Sequence, residues 1–361
     1  MRPALSLLFL APLLLATAAD AAKITVRSDA DATVNCSVTP TACTLRGALS
    51  AATSGDTIVF DFIGLDQPRT ITITSELPAV AAGVIVDGLD CTNCGGVSAS
   101  TTTATDGLDT ALGVTITAAF TFPNSKPLLT ASGAGATVRG LVLVGGPDVG
   151  LELDADNLTV EHCFVGIEAD GVTANGNAAG GILVLDSAFA TIGPGVVVSG
   201  NGGHGIELDD DGADDFTIIG SIVGADASAT LDRGNQFDGL SMDATGRQFA
   251  RAVIGGADVG NVFAGNGGNG VTWVGHIHEP SFLENHVGVG AGLVPLGNDG
   301  HGLSSNQDSN EDAHEGPIED NVFGDNGGAG AHLIRPEGFS FYGNGFGTDL
   351  AGTLDLGNDE E

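Results

Sequence analysis

Positive charge is scarce in this chain: 11 Lys and Arg stand against 46 Asp and Glu, for a formal net charge of −35. Nucleic acid is excluded as a partner, because binding a phosphate backbone requires clustered cations. Anionic membrane surfaces are excluded for the same reason. Aromatic side chains are few, with a single Trp and a single Tyr, so little surface is available to stack on sugar rings. No apolar run approaches the ~20 residues that a membrane-spanning helix needs, so membrane insertion is not expected. The excess carboxylates have two readings: a strongly solvated surface suited to a salty medium, or a site for divalent cations, with calcium as the candidate cofactor.

What is abundant is glycine, 57 of 361 residues, as expected for many short strands joined by tight turns. The chain opens on Arg2 and an apolar run over residues 5–15, followed by Ala16-Thr17-Ala18 and Ala19-Asp20-Ala21. A charged start, a short apolar stretch and small-x-small sites form an export signal, expected over residues 1–21. The mature protein is then expected to be secreted or held at the cell surface. In an oxidising compartment Cys36 and Cys43, and Cys91 and Cys94, are the economical disulfide pairs; a zinc site built from the same four is the alternative. Cys163, beside Phe164 in an apolar segment, is expected to be a buried thiol.

A repeat dominates the rest. Asn, three residues, Gly and an aliphatic residue recur at Asn177…Gly181-Ile182, Asn201…Gly205-Ile206, Asn235…Gly239-Leu240, Asn266…Gly270-Val271, Asn298…Gly302-Leu303 and Asn326…Gly330-Ala331. Gly146…Gly150-Leu151 is the same element without its Asn, and Asn358 begins a further copy. Successive starts lie 31, 24, 34, 31, 32, 28 and 32 residues apart, one copy per coil of a solenoid. Period-2 alternation after each Gly, as in Ile206/Leu208 and Val271/Trp273, marks a strand with one buried face. A second pattern runs through Ser221/Val223, Asn261/Phe263, Asn285/Val287, Asn321/Phe323 and Asn344/Phe346, with His162/Phe164 as a looser copy. Coils stacked about 4.8 Å apart would turn these Asn residues into hydrogen-bonded ladders and the apolar positions into internal stacks. Asn201, Asn266 and Asn326 open "NGG" turns, whereas Asn298 and Asn358 sit in "GND", so two coil types alternate every 60 to 65 residues. The expected fold is all-β: a right-handed parallel β-helix over residues 57–361, its last coil incomplete, preceded by an N-terminal cap over residues 22–56.

Leu45, Ala48, Leu49 and Ala52 have helical spacing, with Thr44 as N-cap, so residues 44–53 are expected to form a short amphipathic helix plugging the open end of the solenoid. Strands are expected at 57–60, 70–74 and 84–86. The segment Cys43-Thr44-Leu45-Arg46-Gly47-Ala48, followed by Gly55-Asp56-Thr57-Ile58-Val59-Phe60, resembles the N-terminal module of CSLREA-type secreted proteins. Thr stands here for the family's Ser and Gly47 for its Glu, which removes one partner for Arg46. The run from Gly343 to Asn358 is similar to a repeat of bacterial secreted β-helix proteins of the pectin-lyase-like class. Together the two resemblances cover most of the mature chain, and they imply fold and export rather than an activity.

Chemistry is less legible. His204 and His301 occur as "GHG", as in polygalacturonase-type hydrolases, but the same repeat position holds Val149, Gly180, Asp238, Asn269 and Ala329 elsewhere, which marks a turn residue. Arg233, Arg247 and Arg251 are the basic residues that could serve a lyase, with acids one coil away to hold calcium. Metal-ligand candidates are Asp209, Asp210, Asp211 and Asp214, with His276 and His278 sharing one face of a strand. Segments 209–214, 243–248, 275–279 and 306–315 follow the Gly-led strands and should lie side by side, gathering Glu279, Glu311, Asp312 and His314 as well. The leading expectation is an exported, non-catalytic surface or extracellular protein of unknown ligand. The alternative is a polysaccharide-active enzyme, whether lyase, hydrolase or epimerase. The partners in view are extracellular polysaccharides or cell-surface components.

Overall fold

A computed structural model describes residues 21–62, 64, 66–119, 126–209, 214–307, 316–335 and 338–360, with the backbone alone for 245–250 and 307. The expected export signal therefore lies, but for Ala21, outside the described residues. No helix among the described residues is long and apolar enough to cross a membrane.

Each coil contributes one strand to each of three parallel sheets, of eleven, ten and eight strands. One coil reads Thr137–Arg139, Leu141–Val144 and Val149–Asp154, and the next begins at Thr159–Glu161. The fold is a right-handed parallel β-helix. Its first strand, Lys23–Val26, pairs with Thr57–Phe60, so the segment expected only as a cap also starts the first sheet.

Register keeps like residues in columns. In the first sheet Val138, Val160, Ile192, Ile218, Ile254 and Phe282 succeed one another directly. In the second, Val198, Val223, Phe263, Val287, Phe323 and Phe346 do the same. Near the C-terminal end the two columns interlock through rings: Phe263–Phe282 at 6.4 Å, Phe282–Phe323 at 6.0 Å and Phe323–Phe346 at 4.9 Å. Trp273 meets Phe282 edge-on at 5.7 Å and is fully buried. Such contacts add to simple area burial.

Two carboxamide ladders hold the corners. Between the second and third sheets, the side-chain amides of Asn177, Asn201, Asn235, Asn266, Asn298 and Asn326 each donate to the carboxamide oxygen of the next, at 2.9–3.0 Å, ending on Asn358. Each also donates to a backbone carbonyl of the preceding coil, as Asn266 does to Val223 O at 3.1 Å. Between the first and second sheets, Asn261, Asn285, Asn321 and Asn344 form a second ladder of the same kind. The alternating coil types also have a cause. In every second coil the corner swells into a small excursion closed by an antiparallel bridge, Ile167 to Ala174, Ala225 to Asp232, Val289 to Pro295 and Thr348 to Asp355.

The N-terminal end is plugged by the helix Leu45–Ala51, whose Leu45, Ala48 and Leu49 are buried. Thr44 caps it, its hydroxyl accepting from Gly47 N at 3.1 Å. Gly47 has a steric reason: a Cβ there would lie 2.2 Å from Val34 O. Arg46 keeps a partner without the family's Glu, since Asp31 meets its Nε at 2.7 Å and also accepts from Thr74 N. Cys36 pairs with Cys43 and Cys91 with Cys94, while Cys163 is free and buried. Burial pushes the Cys163 thiol up to about 12.

Replacing Asn266 or Asn298 with Ala deletes one rung and strands the amide groups above and below it. Each substitution should cost ~1–3 kcal/mol in denaturant unfolding. Unchanged stability in both would show that the ladder carries no load.

Candidate functional site

The third-to-first-sheet corner is where the sequence places its acids and imidazoles. Asp209 ends the strand Ile206–Leu208, and Asp214 and Asp215 lead into Thr217–Ile218. Arg251, one coil on, grips Asp215 with both ends of its guanidinium at 2.5 and 2.6 Å. That bond lowers Asp215 and raises Arg251 relative to their ordinary values. His276 and His278 point outward from the strand Val271–His278 on either side of buried Ile277. His278 lies 4.0 Å from Glu279. Asp210, Asp211, Glu311, Asp312 and His314 lie outside the described residues, as does the side chain of Arg247. No group of three His, Cys, Asp or Glu among the described residues is placed to hold a metal ion.

Arg233 is elsewhere. It sits on the excursion before Asn235, donating to Val172 O and Asp232 O at 2.6 Å each. The strand Leu240–Ala250 separates it from Arg251, so the structure does not bring these two cations together. His204 and His301 line the outer edge of the third sheet. Their Nδ1 atoms accept from Asp238 N at 3.2 Å and Ala329 N at 2.9 Å, and Asp238 and Asn269 accept from the next coil in the same way. The repeat position that tolerates many residues is thus an outer row of acceptors.

A different feature emerges on the second sheet. Its outward row runs Val142, Phe164, Val197, Ile222, Val262, His286 and Val322 in direct register. Walls on either side make this row a trough: the first-to-second-sheet turns on one, the alternate-coil excursions on the other. Residues 93–113 leave the strand Ile85–Thr92 and run down this trough across several coils before returning to Val114–Ala118. Ala104, Leu108 and Leu112 are buried against Phe164, Val197, Ile222 and Val262. Leu108 N donates to Ala227 O at 2.7 Å. Gly107 allows the close approach: its φ is +84°, and a Cβ there would lie 2.5 Å from Ser228 O.

Beyond this strap the trough is open. A groove of about 440 Å³ begins at Thr103, Thr105 and Asp106 of the strap. Asp258, Gly260, Glu284 and Asp320 follow along one wall, His286 and Val322 form the floor, and Leu350 stands opposite. Glu284 accepts from Asp258 N at 2.8 Å. Glu284 and Asp320 both have φ of +55°, at the corner where other coils use Gly140, Gly220, Gly343 or His162. A side chain in that left-handed conformation costs about 1–2 kcal/mol. Burial lowers His286 below the usual imidazole range, against the opposing effects of its Nδ1 contact with Gly290 O at 3.3 Å and of nearby Asp106. Burial thus favours the neutral form of its ring.

No protein-family model matches the chain, and no curated protein matches it in sequence. Among solved structures it is similar to the A-module of a mannuronan C-5 epimerase from Azotobacter vinelandii: 15% identity over 82% of this chain and 69% of that one, TM-score 0.44. It is also similar to a pectate lyase, with 16% identity over 81% of this chain and 79% of that one, TM-score 0.36. An alginate lyase from Paenibacillus sp. str. FPU-7 is 13% identical over 89% of this chain and 97% of that one, TM-score 0.38. The fold is a parallel β-helix. The expectation of a non-catalytic surface module is corrected by these neighbours, which are polysaccharide-active enzymes. At such identities they share the fold, and the chemistry has to be argued from this chain's own residues.

His162, His286 and His301 are each held below the ordinary imidazole value, burial being the first cause in all three. An unfolded chain takes up protons near pH 6.5, before these folded sites do. Stability should therefore be level above about pH 7 and fall as the pH drops below 6.5. Thermal melts from pH 7.5 to 5 should show that fall, and His162→Gln, which retains an acceptor but cannot be protonated, should reduce it. A melting temperature constant over that range would contradict the assignment.

Proposed function

We propose that this chain is an exported, polysaccharide-active protein that takes a glycan strand into the open end of the second-sheet trough. The observation that carries the reading is the meeting of Asp106, Asp258, Glu284 and Asp320 with His286 in one groove. Carboxylates flanking a glycosidic bond are the usual machinery of its hydrolysis, one protonating the leaving oxygen and the other activating water or attacking. Glu284 and Asp320, on adjacent coils and in strained corners, are the residues assigned that work, with His286 positioned to exchange protons. A trough parallel to the solenoid axis suits a linear polymer.

Neither Arg233 nor Arg251 is suited to serve as the base of a lyase. A lyase needs a base that can lose its proton, yet Arg251 is held protonated by Asp215, and Arg233 is tied to two carbonyls. The epimerase and lyases of the same fold act on mannuronan, pectate and alginate, and membership of that polysaccharide-handling company is part of this proposal. Export is supported by residues 1–21 and by the paired cysteines. The likeness of Cys43–Ala48 and Gly55–Phe60 supports placing the chain among CSLREA-type proteins.

Assayed by release of reducing ends across a panel of extracellular glycans, the protein should cleave at least one. Glu284→Gln and Asp320→Asn should each lower its kcat by about 10²–10⁴-fold with little change in melting temperature. Cleavage that survives both substitutions would remove the trough from the mechanism, and failure to bind or cleave any glycan would end the reading.

A further inference from the structure

Resting on the proposed function of the same trough, we infer that its glycan is built of amino sugars, recognised through ammonium and hydroxyl donors, and that it is not a polyuronate. Among the described residues that line the open groove there is no Lys or Arg. Carboxylate oxygens accept hydrogen bonds, so a wall of Asp258, Glu284 and Asp320 favours a ligand rich in donors. A polyuronate would instead set its own carboxylates against Asp258, Glu284 and Asp320.

The described cations elsewhere are not at hand to compensate. Lys23, Arg27, Arg46, Arg69, Lys126 and Arg139 are paired with Asp90, Asp61, Asp31, Asp29, Glu76 and Asp87 in the N-terminal coils. Arg251 is paired with Asp215 at a different corner, and Arg233 is bound to carbonyls. Arg335 is engaged as well. Over the whole chain a net charge of −35 repels polyanions and draws in polycations.

Upstream, residues 104–112 cover the trough as an irregular segment that opens with the 3-10 turn Ala104–Asp106, and Ala104, Leu108 and Leu112 pack on the same outward row. Downstream, Leu350 is exposed opposite a wall that becomes acidic, so the open part fits a ligand with an apolar face and a donor-rich edge. Pyranose rings bearing ammonium and hydroxyl groups have both.

The test compares, at equal chain length, a chitosan oligosaccharide, its N-acetylated counterpart, oligogalacturonate and oligoalginate, by calorimetry at 20 mM and 500 mM NaCl. Chitosan should bind at least ten-fold more tightly than the acetylated form at low salt, and the gap should narrow at high salt. Both uronates should bind at least ten-fold more weakly than the acetylated form, with or without millimolar calcium. Asp106→Asn with Asp258→Asn should abolish the chitosan preference, while the charge-matched Asp154→Asn with Asp299→Asn should leave it intact. Uronate binding as tight as that of the acetylated form, a requirement for calcium, or equal loss in both double variants would overturn the inference and leave the trough itself standing. Absence of binding to all four, together with no cleavage of any glycan, would instead remove the proposed function on which it rests.

Discussion

The bond on which this molecule depends is that between one asparagine carboxamide and the next. An Asn side chain offers two N–H donors and an oxygen with two acceptor sites. Here one donor goes to the following coil's Asn and the other to a carbonyl of the preceding coil. The oxygen accepts from the previous rung, and often from its backbone N–H as well, as Asn298 does from both groups of Asn266. This satisfies buried polar groups that would otherwise be costly at each corner. It also sets the register, because a coil displaced by one residue would lose its rung and turn its apolar positions outward.

With the inside held in this way, the outside is free to vary, and it does so differently at each edge. The third-to-first corner carries ion-paired and exposed charge. The outer edge of the third sheet carries a row of acceptors, including His204 and His301. The outward row of the second sheet is apolar, which is unusual for a solvent-facing position, and the chain covers most of it with its own residues 93–113. Where that cover stops, His286 and a wall of carboxylates line an open groove. Function is proposed there because Glu284 and Asp320, on adjacent coils, line the open groove together with His286.

Periodic features were legible in the sequence for a physical reason: stacking forces identical positions to bear similar residues. The Asn repeat, the alternation after Gly, the capping helix with Thr44 and the pairing of Cys36 with Cys43 all follow from local spacing. The strap was not legible, because residues 93–113 occur once and have no counterpart to compare with; Ala104, Leu108 and Leu112 in a Thr- and Ser-rich loop were its one trace. Glu284 and Asp320 were hidden in the position before a ladder Asn, where Asn285 and Asn321 explain the pattern by themselves. Arg233 and Arg251 look like neighbours in sequence, but an extended strand of 11 residues carries the chain from one corner to the next.

The central claim is that the two carboxamide ladders bind the coils into one rigid stack on whose outer face the trough is formed. Backbone hydrogen exchange followed by mass spectrometry tests it most directly. The account predicts that amides at Asn201, Asn235, Asn266, Asn261, Asn285 and Asn321, and at strap residue Leu108, exchange slowest and together, as a single cooperative unit. Ladder amides exchanging coil by coil, at the rates of the exposed excursions, would contradict it.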